Sequence, residues 1–291
     1  MKIGNQVFAT DKHTYIMGIL NITPDSFSDG GLYQEKDAIL KRAEKMICEG
    51  CDIIDIGGES TRPGYEKISE TEEIERIAPV IKMLREHFEI PLSLDTYKVS
   101  VAKAGIEAGI SMINDVWGLK NDPGMAGVIA TADIPCCLTH NVRDTYNVRD
   151  TYNVNENSVQ NQTLNPDLTT NLMQKIKTEL QESVTLAQKA GIKNENIILD
   201  PGIGFGKSYE ENLYLLNHLA ELKKLGFPCL LGASRKSVIG LTLNLPTTER
   251  LEGTIITTVM AVMSSYGFVR VHDILANKRS IKMAEAIFKS S

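Results

Sequence analysis

Cysteine is scarce in this chain, and its scarcity excludes a fold stapled by disulfides. The 291 residues contain five cysteines, an odd number, which is typical of reduced thiols and not of a disulfide framework. Cys48 and Cys51 form a C-x-x-C pair. However, Cys48 lies at the predicted carboxyl end of a helix, where the helix dipole disfavours the thiolate that redox and metal chemistry requires. No second pair stands at zinc-ligand spacing, so we interpret the cysteines as buried packing residues.

Long apolar runs and an excess of positive charge are also missing. The longest apolar stretch, from Ile255 to Val269, is interrupted by Thr, Ser and Tyr and is too short to span a bilayer. No apolar segment of a signal peptide opens the sequence. The formal net charge of −6 argues against nonspecific binding to nucleic acid or to an anionic membrane. We therefore expect a cytoplasmic protein with neither partner, in which a few local cations hold any bound phosphate.

Eight short apolar runs, each ending on a polar residue, recur at intervals of about one strand plus one helix. The runs end near Asn21, Asp55, Asp95, Asn114, His140, Asp200, Ser234 and Arg270. Apolar residues spaced three and four apart predict helices over 38–49, 71–88, 99–108, 172–190, 209–225, 247–266 and 274–288, and a short one over 124–131. Eight β/α units close into a barrel whose strands all end at one face, where the chemistry lies. The predicted fold class is therefore α/β, a single (β/α)8 TIM barrel.

Two segments depart from this alternation. Residues 2–9 alternate in polarity and predict a short hairpin or barrel plug within an amino-terminal region, 1–14. After the fifth strand, residues 141–170 form a long polar loop that contains the repeat VRDTYN-VRDTYN at 142–153. This repeat is either a tolerated duplication, because loop lengthening costs little entropy, or a change in access to the site. No linker interrupts the chain, so we expect one domain over 1–291.

Polar side chains at three strand ends form a set of hydrogen-bond acceptors. Asp95, Asn114 and Asp200 each follow an apolar strand and should meet at the barrel mouth. Because buried acids and amides are costly unless paired, three at one mouth indicate a ligand with a donor-rich heterocyclic edge. Asp200 opens DPGIGFGKS, which resembles a P-loop but has Pro201 where the first glycine would stand. Nucleotide binding is therefore disfavoured.

Cationic side chains follow the last two strands. Lys236 and Ser237 come after the seventh strand, and Arg270 and His272 lie on the eighth, where barrels of this kind commonly bind phosphate. Arg270 and His272 are two residues apart on a strand and therefore point to the same side. This set suits a diphosphate, although His272 taken alone is equally typical of a core histidine.

The loops after the first two strands are rich in small and polar residues. Asn21 begins NITPDSFSDGG, and its amide oxygen is either a ligand for Mg²⁺ or the cap of a turn. In GGESTRPG, Gly57 and Gly58 permit backbone bends. Arg62 before Pro63 offers a planar fork to an anionic group, or is a solvated side chain in a turn.

Together these motifs resemble those of the dihydropteroate synthase family, in order and spacing from Tyr15 to the carboxyl terminus apart from the repeat-bearing loop. They are MGILNITPDSFSDGG, DIGGESTRPG, SLDTYK, INDVWG, DPGIGFGK, G-x-SRKS and R-x-H. One position departs from the pattern: Thr139 stands where the family often carries a Met that lines the pterin pocket. The resemblance implies a folate-biosynthesis transferase on a TIM barrel, usually a homodimer and a target of sulfonamides. Such an enzyme joins 6-hydroxymethyl-7,8-dihydropterin diphosphate to 4-aminobenzoate and releases diphosphate.

The resemblance also implies roles for the matching residues. The pterin diphosphate site would comprise Thr61, Asp95, Asn114, Asp200, Lys236, Arg270, Val271 and His272. The 4-aminobenzoate site would comprise Phe27, Thr61, Arg62, Pro63, Lys236 and Ser237. The catalytic residues would be Asp95, Lys236, Arg270 and His272, and Asn21 would hold the diphosphate through Mg²⁺. The expected mechanism is dissociative: diphosphate leaves before the amine attacks, and Asp95 stabilises the resulting cation.

Other functions fit parts of the sequence. A methyltransferase that passes a methyl group to a corrinoid protein would share the acidic pterin-binding face, but it has no need for STRPG or SRKS. A catalytically silent pterin-binding protein is hard to reconcile with intact diphosphate ligands. A phosphosugar aldolase would need a lysine within a strand near the mouth, and the predicted strands lack one. For a homodimer, the apolar segment 254–263 is a candidate face, and core packing explains that segment equally well.

Overall fold

The computed structural model describes residues 1–22, 32–59, 67–142 and 166–288, with the side chains of 32–35 and 166–170 excepted. The strands are β1 (Lys2–Ile3), β2 (Gln6–Val7), β3 (Tyr15–Asn21), β4 (Ile53–Gly57), β5 (Leu92–Asp95), β6 (Met112–Asp115), β7 (Cys136–Thr139), β8 (Ile197–Asp200), β9 (Leu230–Leu231) and β10 (Phe268–Val271). The helices are α1 (Leu32–Cys48), α2 (Glu70–His87), α3 (Val99–Ala108), α4 (Met125–Ala132), α5 (Pro166–Lys189), α6 (Tyr209–Asn217), α7 (Ala220–Lys223), α8 (Ser237–Leu243), α9 (Leu251–Met263) and α10 (Ile274–Phe288).

Eight parallel strands form the predicted barrel, which confirms the fold class. They are ordered β8-β7-β6-β5-β4-β3-β10-β9 in one sheet, and a parallel bridge between Leu199 and Cys229 brings its two edges together. Strands β4 to β8 are buried along their whole length, as expected for parallel strands covered by helices. None of the described helices is long and apolar enough to cross a membrane.

The antiparallel hairpin of β1 and β2 closes the amino-terminal end of the barrel. Ile3 and Phe8 are almost fully buried, and the ring of Phe8 packs edge-on against Tyr15 with centroids 4.9 Å apart. Their partners are inward-facing strand residues, namely Met17, Ile53, Met112, Cys137, Ile198, Leu230 and Phe268. Burying one large apolar side chain contributes about 1.5–3 kcal/mol, so the predicted plug both seals and stabilises the barrel.

Several helix ends follow their sequence signals. Helix α3 has the predicted bounds, and Gly109 ends it in the left-handed region, with φ of 112°. At the start of α2, Ser69 accepts a hydrogen bond from the Glu72 amide over 3.1 Å, which satisfies a donor that the first turn leaves unpaired.

Other helix predictions were wrong. The predicted helix 209–225 is two helices, α6 and α7, because the chain leaves helical geometry at His218, with φ of −121° and ψ of 26°. The predicted helix 247–266 is a 3-10 turn over Thr247–Glu249 followed by α9. Helix α8 was missed because seven residues are too few for a periodic signal. Helix α5 begins at Pro166, inside the predicted loop 141–170, and residues 143–165 with most of the repeat lie outside the described residues.

The five cysteines are free thiols. The expectation of buried packing residues is confirmed for Cys51, Cys136, Cys137 and Cys229 and is wrong for Cys48, which ends α1 and is exposed. Burial raises the pKa of Cys51 and of Cys229 to about 12, so these two thiols are poor nucleophiles at neutral pH.

Candidate active site

Strand register brings the predicted polar residues together at the carboxyl end of the barrel. Gly57 pairs with Asn21 on one side and with Asp95 on the other. Asp95 pairs in turn with Asn114. Because alternate residues of a strand face the same side, Asp55 faces inward with Gly57. Four neighbouring strand ends therefore present their side chains to one opening.

Arg270 joins two carboxylates across this opening. Its Nε donates to Oδ2 of Asp55 over 2.6 Å, and its Nη2 donates to Oδ2 of Asp95 over 2.7 Å. Nδ2 of Asn114 donates to the same oxygen of Asp55 over 3.0 Å. The Oδ1 atoms of Asp55 and Asp95 are buried and have no hydrogen-bond partner among the described residues. Since unsatisfied buried acceptors are costly, these two atoms suit donors on a ligand.

Two acidic groups of the mouth, Asp95 and Asp200, have raised pKa values. Burial raises the pKa of Asp95 to about 7, against the opposing charge of Arg270. Burial also raises the pKa of Asp200, although Lys236 opposes the shift and the amide of Gly202 donates to Asp200 Oδ1 over 2.7 Å. Convergent carboxyl groups with raised pKa values are typical of functional sites.

Lys236 lies at the rim on the opposite side, immediately before α8. Its Nζ lies 4.4 Å from the centroid of the Phe205 ring and donates to the carbonyl of Ile203. Burial lowers the pKa of Lys236 to about 8, although the charge of Asp200 opposes this shift. The ammonium group is therefore a hydrogen-bond donor close to an acidic acceptor, which is suited to a ligand that carries both kinds of group.

His272 lies at the rim and is half-buried. This position favours a role in the site over that of a histidine packed in the core. Its Nδ1 lies 3.0 Å from Oγ of Ser234, and its amide donates to the same oxygen over 3.2 Å. The guanidinium of Arg42 donates to the His272 carbonyl over 2.9 Å. These contacts fix both the ring and the backbone of His272.

The remaining predicted residues are placed differently or lie outside the described residues. Ser237 is the first residue of α8, next to Lys236. Val271 is buried in the core between the sheet and the helices, so its side chain is turned away from the mouth. The residues outside the described ranges are Phe27, Thr61, Arg62 and Pro63.

Two charged groups of the site, Asp55 and Lys207, were given no role there from the sequence alone. Asp55 is fully buried, and a carboxylate within the strand IIDIG is costly unless paired, which was the available signal. Lys207 was considered only as part of a failed P-loop. Its Nζ donates to three carbonyl oxygens, those of His140 over 3.2 Å, Gly202 over 2.8 Å and Phe205 over 3.0 Å. Lys207 thus fastens the loop after β8 to the end of β7.

Asn21, the predicted ligand for Mg²⁺, ends β3 and pairs with Gly57 of β4. A Cβ atom placed on Gly57 would stand 3.3 Å from Oδ1 of Asn21, so the glycine leaves space beside this oxygen. No group of three or more His, Cys, Asp or Glu side chains that could hold a metal occurs in the described part of the chain. A single amide oxygen nevertheless fits Mg²⁺, which keeps several waters and takes further ligands from substrate phosphates.

Comparisons with known proteins agree with this geometry. Residues 17–272 match the family described as pterin binding enzyme. The chain is 52% identical to the dihydropteroate synthase of Clostridium beijerinckii over 290 residues, covering 99% of this chain and 100% of that protein. It is 47% identical to the dihydropteroate synthase of Bacillus subtilis over 274 residues, covering 94% of this chain and 88% of that protein.

Solved structures give the same result. The dihydropteroate synthase of Clostridium difficile, solved in the presence of pteroic acid, has a TM-score of 0.86 and 45% identity, covering 97% of this chain and 99% of that chain. The Yersinia pestis dihydropteroate synthase, solved with a sulfonamide drug, has a TM-score of 0.85 and 36% identity, covering 100% of this chain and 99% of that chain. This chain therefore belongs to the pterin-binding enzymes and, within them, to the dihydropteroate synthases, which are transferases of folate biosynthesis.

Proposed function

We propose that this protein condenses 6-hydroxymethyl-7,8-dihydropterin diphosphate with 4-aminobenzoate to give 7,8-dihydropteroate and diphosphate. The observation that carries the proposal is the pair of unpartnered, buried oxygens of Asp55 and Asp95 beside Arg270. The edge of a pterin ring presents an amino group and a ring N–H, and these donors match the two acceptors. Relatives solved with pteroic acid and, in Xanthomonas albilineans, with 4-aminobenzoic acid support both halves of the product.

The pterin ring is recognised by groups of both signs. Asp95, Asn114 and Asp200 accept hydrogen bonds from the amino and N–H groups along the donor edge of the pterin. Lys236 donates to the ring carbonyl and to the N5 side of the ring. The guanidinium of Arg270 covers one face of the ring by a cation–π contact. Its orientation is set beforehand by its two carboxylate partners, so no rearrangement is needed when the ring enters.

The diphosphate is held by cations at the rim. Arg270 lies on β10 and His272 directly follows that strand, and Asn21 would hold Mg²⁺ at the end of β3. Mg²⁺ held there would supply positive charge that neutralises a departing diphosphate. Arg270 and His272 stabilise the same developing charge through hydrogen bonds that are already oriented.

We propose that loss of diphosphate precedes attack. The C–O bond to the exocyclic carbon breaks and its electron pair leaves with the diphosphate, so the carbon becomes cationic and the electron-rich pterin shares that charge. The carboxylate of Asp95 stabilises the cation. The unprotonated aryl amine then forms the C–N bond and loses a proton to solvent, so no dedicated general base is needed.

The 4-aminobenzoate site is proposed to comprise Lys236 and Ser237 with the four residues of the first two loops, Phe27, Thr61, Arg62 and Pro63. Sulfonamides would compete there, as the Yersinia pestis complex suggests. We further propose that the whole chain acts as a single pterin-binding domain. A homodimer is supported by apolar side chains on α9 and α10 that are more than half exposed, namely Ile256, Met263, Met283 and Ile287.

The deciding experiment supplies purified protein with dihydropterin diphosphate and Mg²⁺ and follows diphosphate release with and without 4-aminobenzoate. Release in equal amount to dihydropteroate supports the proposal. Binding of the pterin without formation of dihydropteroate contradicts it and favours a silent binder or a corrinoid-dependent methyltransferase. A carbon isotope effect at the exocyclic carbon typical of concerted displacement would contradict the dissociative step alone.

A further inference from the structure

We propose that Arg235 is a positioning residue that aims Lys236 and His272 at the diphosphate-bearing pterin. The proposal rests on the proposed function, because it concerns residues assigned there to substrate binding. Arg235 stands directly between Ser234, which contacts His272, and Lys236.

The backbone of Arg235 adopts an unfavourable conformation. Its φ is 58°, in the left-handed region, which costs an L-residue with a side chain about 1–2 kcal/mol. Such conformations persist where the surroundings over-determine them, and they concentrate at functional sites. A residue at this φ redirects the chain, and the next residue is Lys236.

Contacts on every side hold Arg235 in this conformation. Its Nε donates to Oδ2 of Asp273 over 3.0 Å and its Nη2 to Oδ1 over 2.6 Å, a bidentate pair. Its amide donates to Oγ1 of the buried Thr254 over 3.1 Å. Its carbonyl accepts from Nη1 of Arg250 over 3.0 Å. A Cβ atom on Gly240 would overlap the Arg250 guanidinium, at 2.2 Å, so the missing side chain there makes room for this last contact.

Two adjacent side-chain contacts, a hydrogen bond and an ion pair, connect the loop after β9 to the residues that follow β10. Ser234 contacts His272, and Arg235 pairs with Asp273, each across 38 positions of sequence. Displacing Arg235 would therefore move Lys236 and His272 together. It would also leave the Asp273 carboxylate unneutralised beside His272, where it would repel a diphosphate.

The stability of the fold alone does not explain this arrangement. The side chains of Arg235 and Asp273 are 29% and 25% exposed, and ion pairs that reach solvent contribute about 0–1 kcal/mol. That contribution is no larger than the cost of the left-handed backbone, about 1–2 kcal/mol. The gain from the pair must therefore lie in the geometry that it enforces.

Three variants separate the contributions. Arg235→Gly keeps the left-handed backbone without strain but loses the guanidinium. Arg235→Lys keeps the charge but cannot pair bidentately. Asp273→Asn keeps the arginine and removes the partner charge. We expect each to fold, with kcat lowered about 10- to 100-fold, the range for a misplacement of about 1 Å in a catalytic group. The double variant Arg235→Gly with Asp273→Asn should lower kcat no more than the worse of the two single changes, because both changes remove the same ion pair.

Asp133→Gly is the matched control. Asp133 is also left-handed, with φ of 50°, and forms an ion pair of 2.7 Å with Lys193, but it lies near the amino-terminal end of β7. This variant should keep kcat within about twofold of the parent value, as surface changes away from a site do.

A binding ratio provides the readout that a merely structural role would leave unchanged. Calorimetry would compare the affinity for dihydropterin diphosphate with that for 6-hydroxymethyl-7,8-dihydropterin, which lacks the diphosphate. Arg235→Gly should reduce this ratio about tenfold, the equivalent of one charge-assisted contact, and Asp133→Gly should leave it unchanged. An unchanged ratio and kcat in the Arg235 variants, or an equal loss in Asp133→Gly, would overturn the proposal. Failure of the parent protein to form dihydropteroate would instead contradict the proposed function.

Discussion

Nη2 of Arg270 donates to Oδ2 of Asp95 over 2.7 Å, although burial raises the pKa of this carboxyl group to about 7. The ion pair requires the ionised form, so the two residues are fully paired only above that pKa. The acidity of Asp95 therefore limits the orientation of Arg270 and, under the proposed dissociative mechanism, the negative charge available to stabilise the cation.

We expect kcat/KM to follow a bell-shaped curve against pH. It should rise as the pH increases through about 7, because Asp95 gains its negative charge there, and fall above about 8, because Lys236 loses its proton. These limbs belong to the coupled set of groups at the mouth. Lys236→Arg, which stays protonated, should lack the falling limb, and a flat profile between pH 6 and pH 9 in the parent protein would contradict the assignment.

Lys98 is expected to be a major determinant of stability. Its Nζ donates to Oε2 of Glu59 and to Oε2 of Glu73, each over 2.7 Å, and all three side chains are 10% exposed or less. Lys98→Met should lower the free energy of unfolding by about 3–5 kcal/mol, because it leaves two carboxylates buried without a counter-charge. Urea denaturation measures this change. Lys193→Met, which breaks a pair whose members are 54% and 60% exposed, should leave the midpoint of urea denaturation nearly unchanged.

The ion-pair network of Lys98, Glu59 and Glu73 should affect the binding of 4-aminobenzoate more than the binding of the pterin. Lys98 also donates to the carbonyl of Ile68 over 2.9 Å, and Glu59 accepts from the Ile68 amide over 3.1 Å. Glu59 and Ile68 flank the segment that contains Thr61, Arg62 and Pro63. We therefore expect Glu73→Gln, which keeps the shape of the side chain, to raise KM for 4-aminobenzoate with little change for the pterin. Equal increases for both substrates would argue against this link.

Gly202 is expected to tolerate no side chain. Its φ is 69°, and a Cβ atom there would lie 1.9 Å from the carbonyl oxygen of His140. Gly202→Ala should lower the free energy of unfolding by about 2–5 kcal/mol, because of steric overlap and backbone strain. It should also weaken pterin binding, because the Gly202 amide orients Asp200. Gly191, with φ of 95° and nothing within 4 Å of its Cβ position, is the control. Gly191→Ala should lower the free energy of unfolding only by the backbone strain, about 1–2 kcal/mol, and should leave the affinity for the pterin unchanged.

Asn21 is expected to set the requirement for Mg²⁺. Asn21→Ala should raise the Mg²⁺ concentration for half-maximal activity about tenfold, the equivalent of one oxygen ligand at about 1.4 kcal/mol. Electron paramagnetic resonance of Mn²⁺ in the presence of diphosphate checks binding independently of activity. The affinity for pterin without diphosphate should not change, and a parallel loss of that affinity would show that Asn21 acts on the ring pocket instead.

Three of the eight predicted strand ends coincide with the observed ones, for a physical reason, while the seventh strand ends at Leu231, three residues before the predicted Ser234. A buried parallel strand is a short apolar run closed by a polar group, so Asn21, Asp95 and Asp200 mark their strand ends to the residue. A helix end depends on local backbone geometry, such as the bend at His218 that divides α6 from α7. Periodicity does not register a change of that kind within an amphipathic stretch.

Relationships between distant residues were the part that the sequence could not supply. The alternation predicted that Arg270 and His272 point to the same side, but His272 lies just beyond β10, and nothing in the pattern indicated that Arg270 would pair with Asp55, 215 positions away. Likewise, the SRKS motif drew attention to Lys236 and Ser237, while the pairing of Arg235 with Asp273 depends on β9 and β10 being neighbours in the sheet.

The amino-terminal hairpin has a consequence for the order of events in the reaction. Because Ile3 and Phe8 close one end of the barrel, reactants and products must all exchange through the carboxyl end. A pterin seated against Asp55 and Asp95 lies beneath whatever binds nearer the rim. Under the proposed function, we therefore expect the deeper substrate to bind first and the condensed product to leave after the diphosphate. The closed end therefore favours an ordered kinetic scheme over a random one.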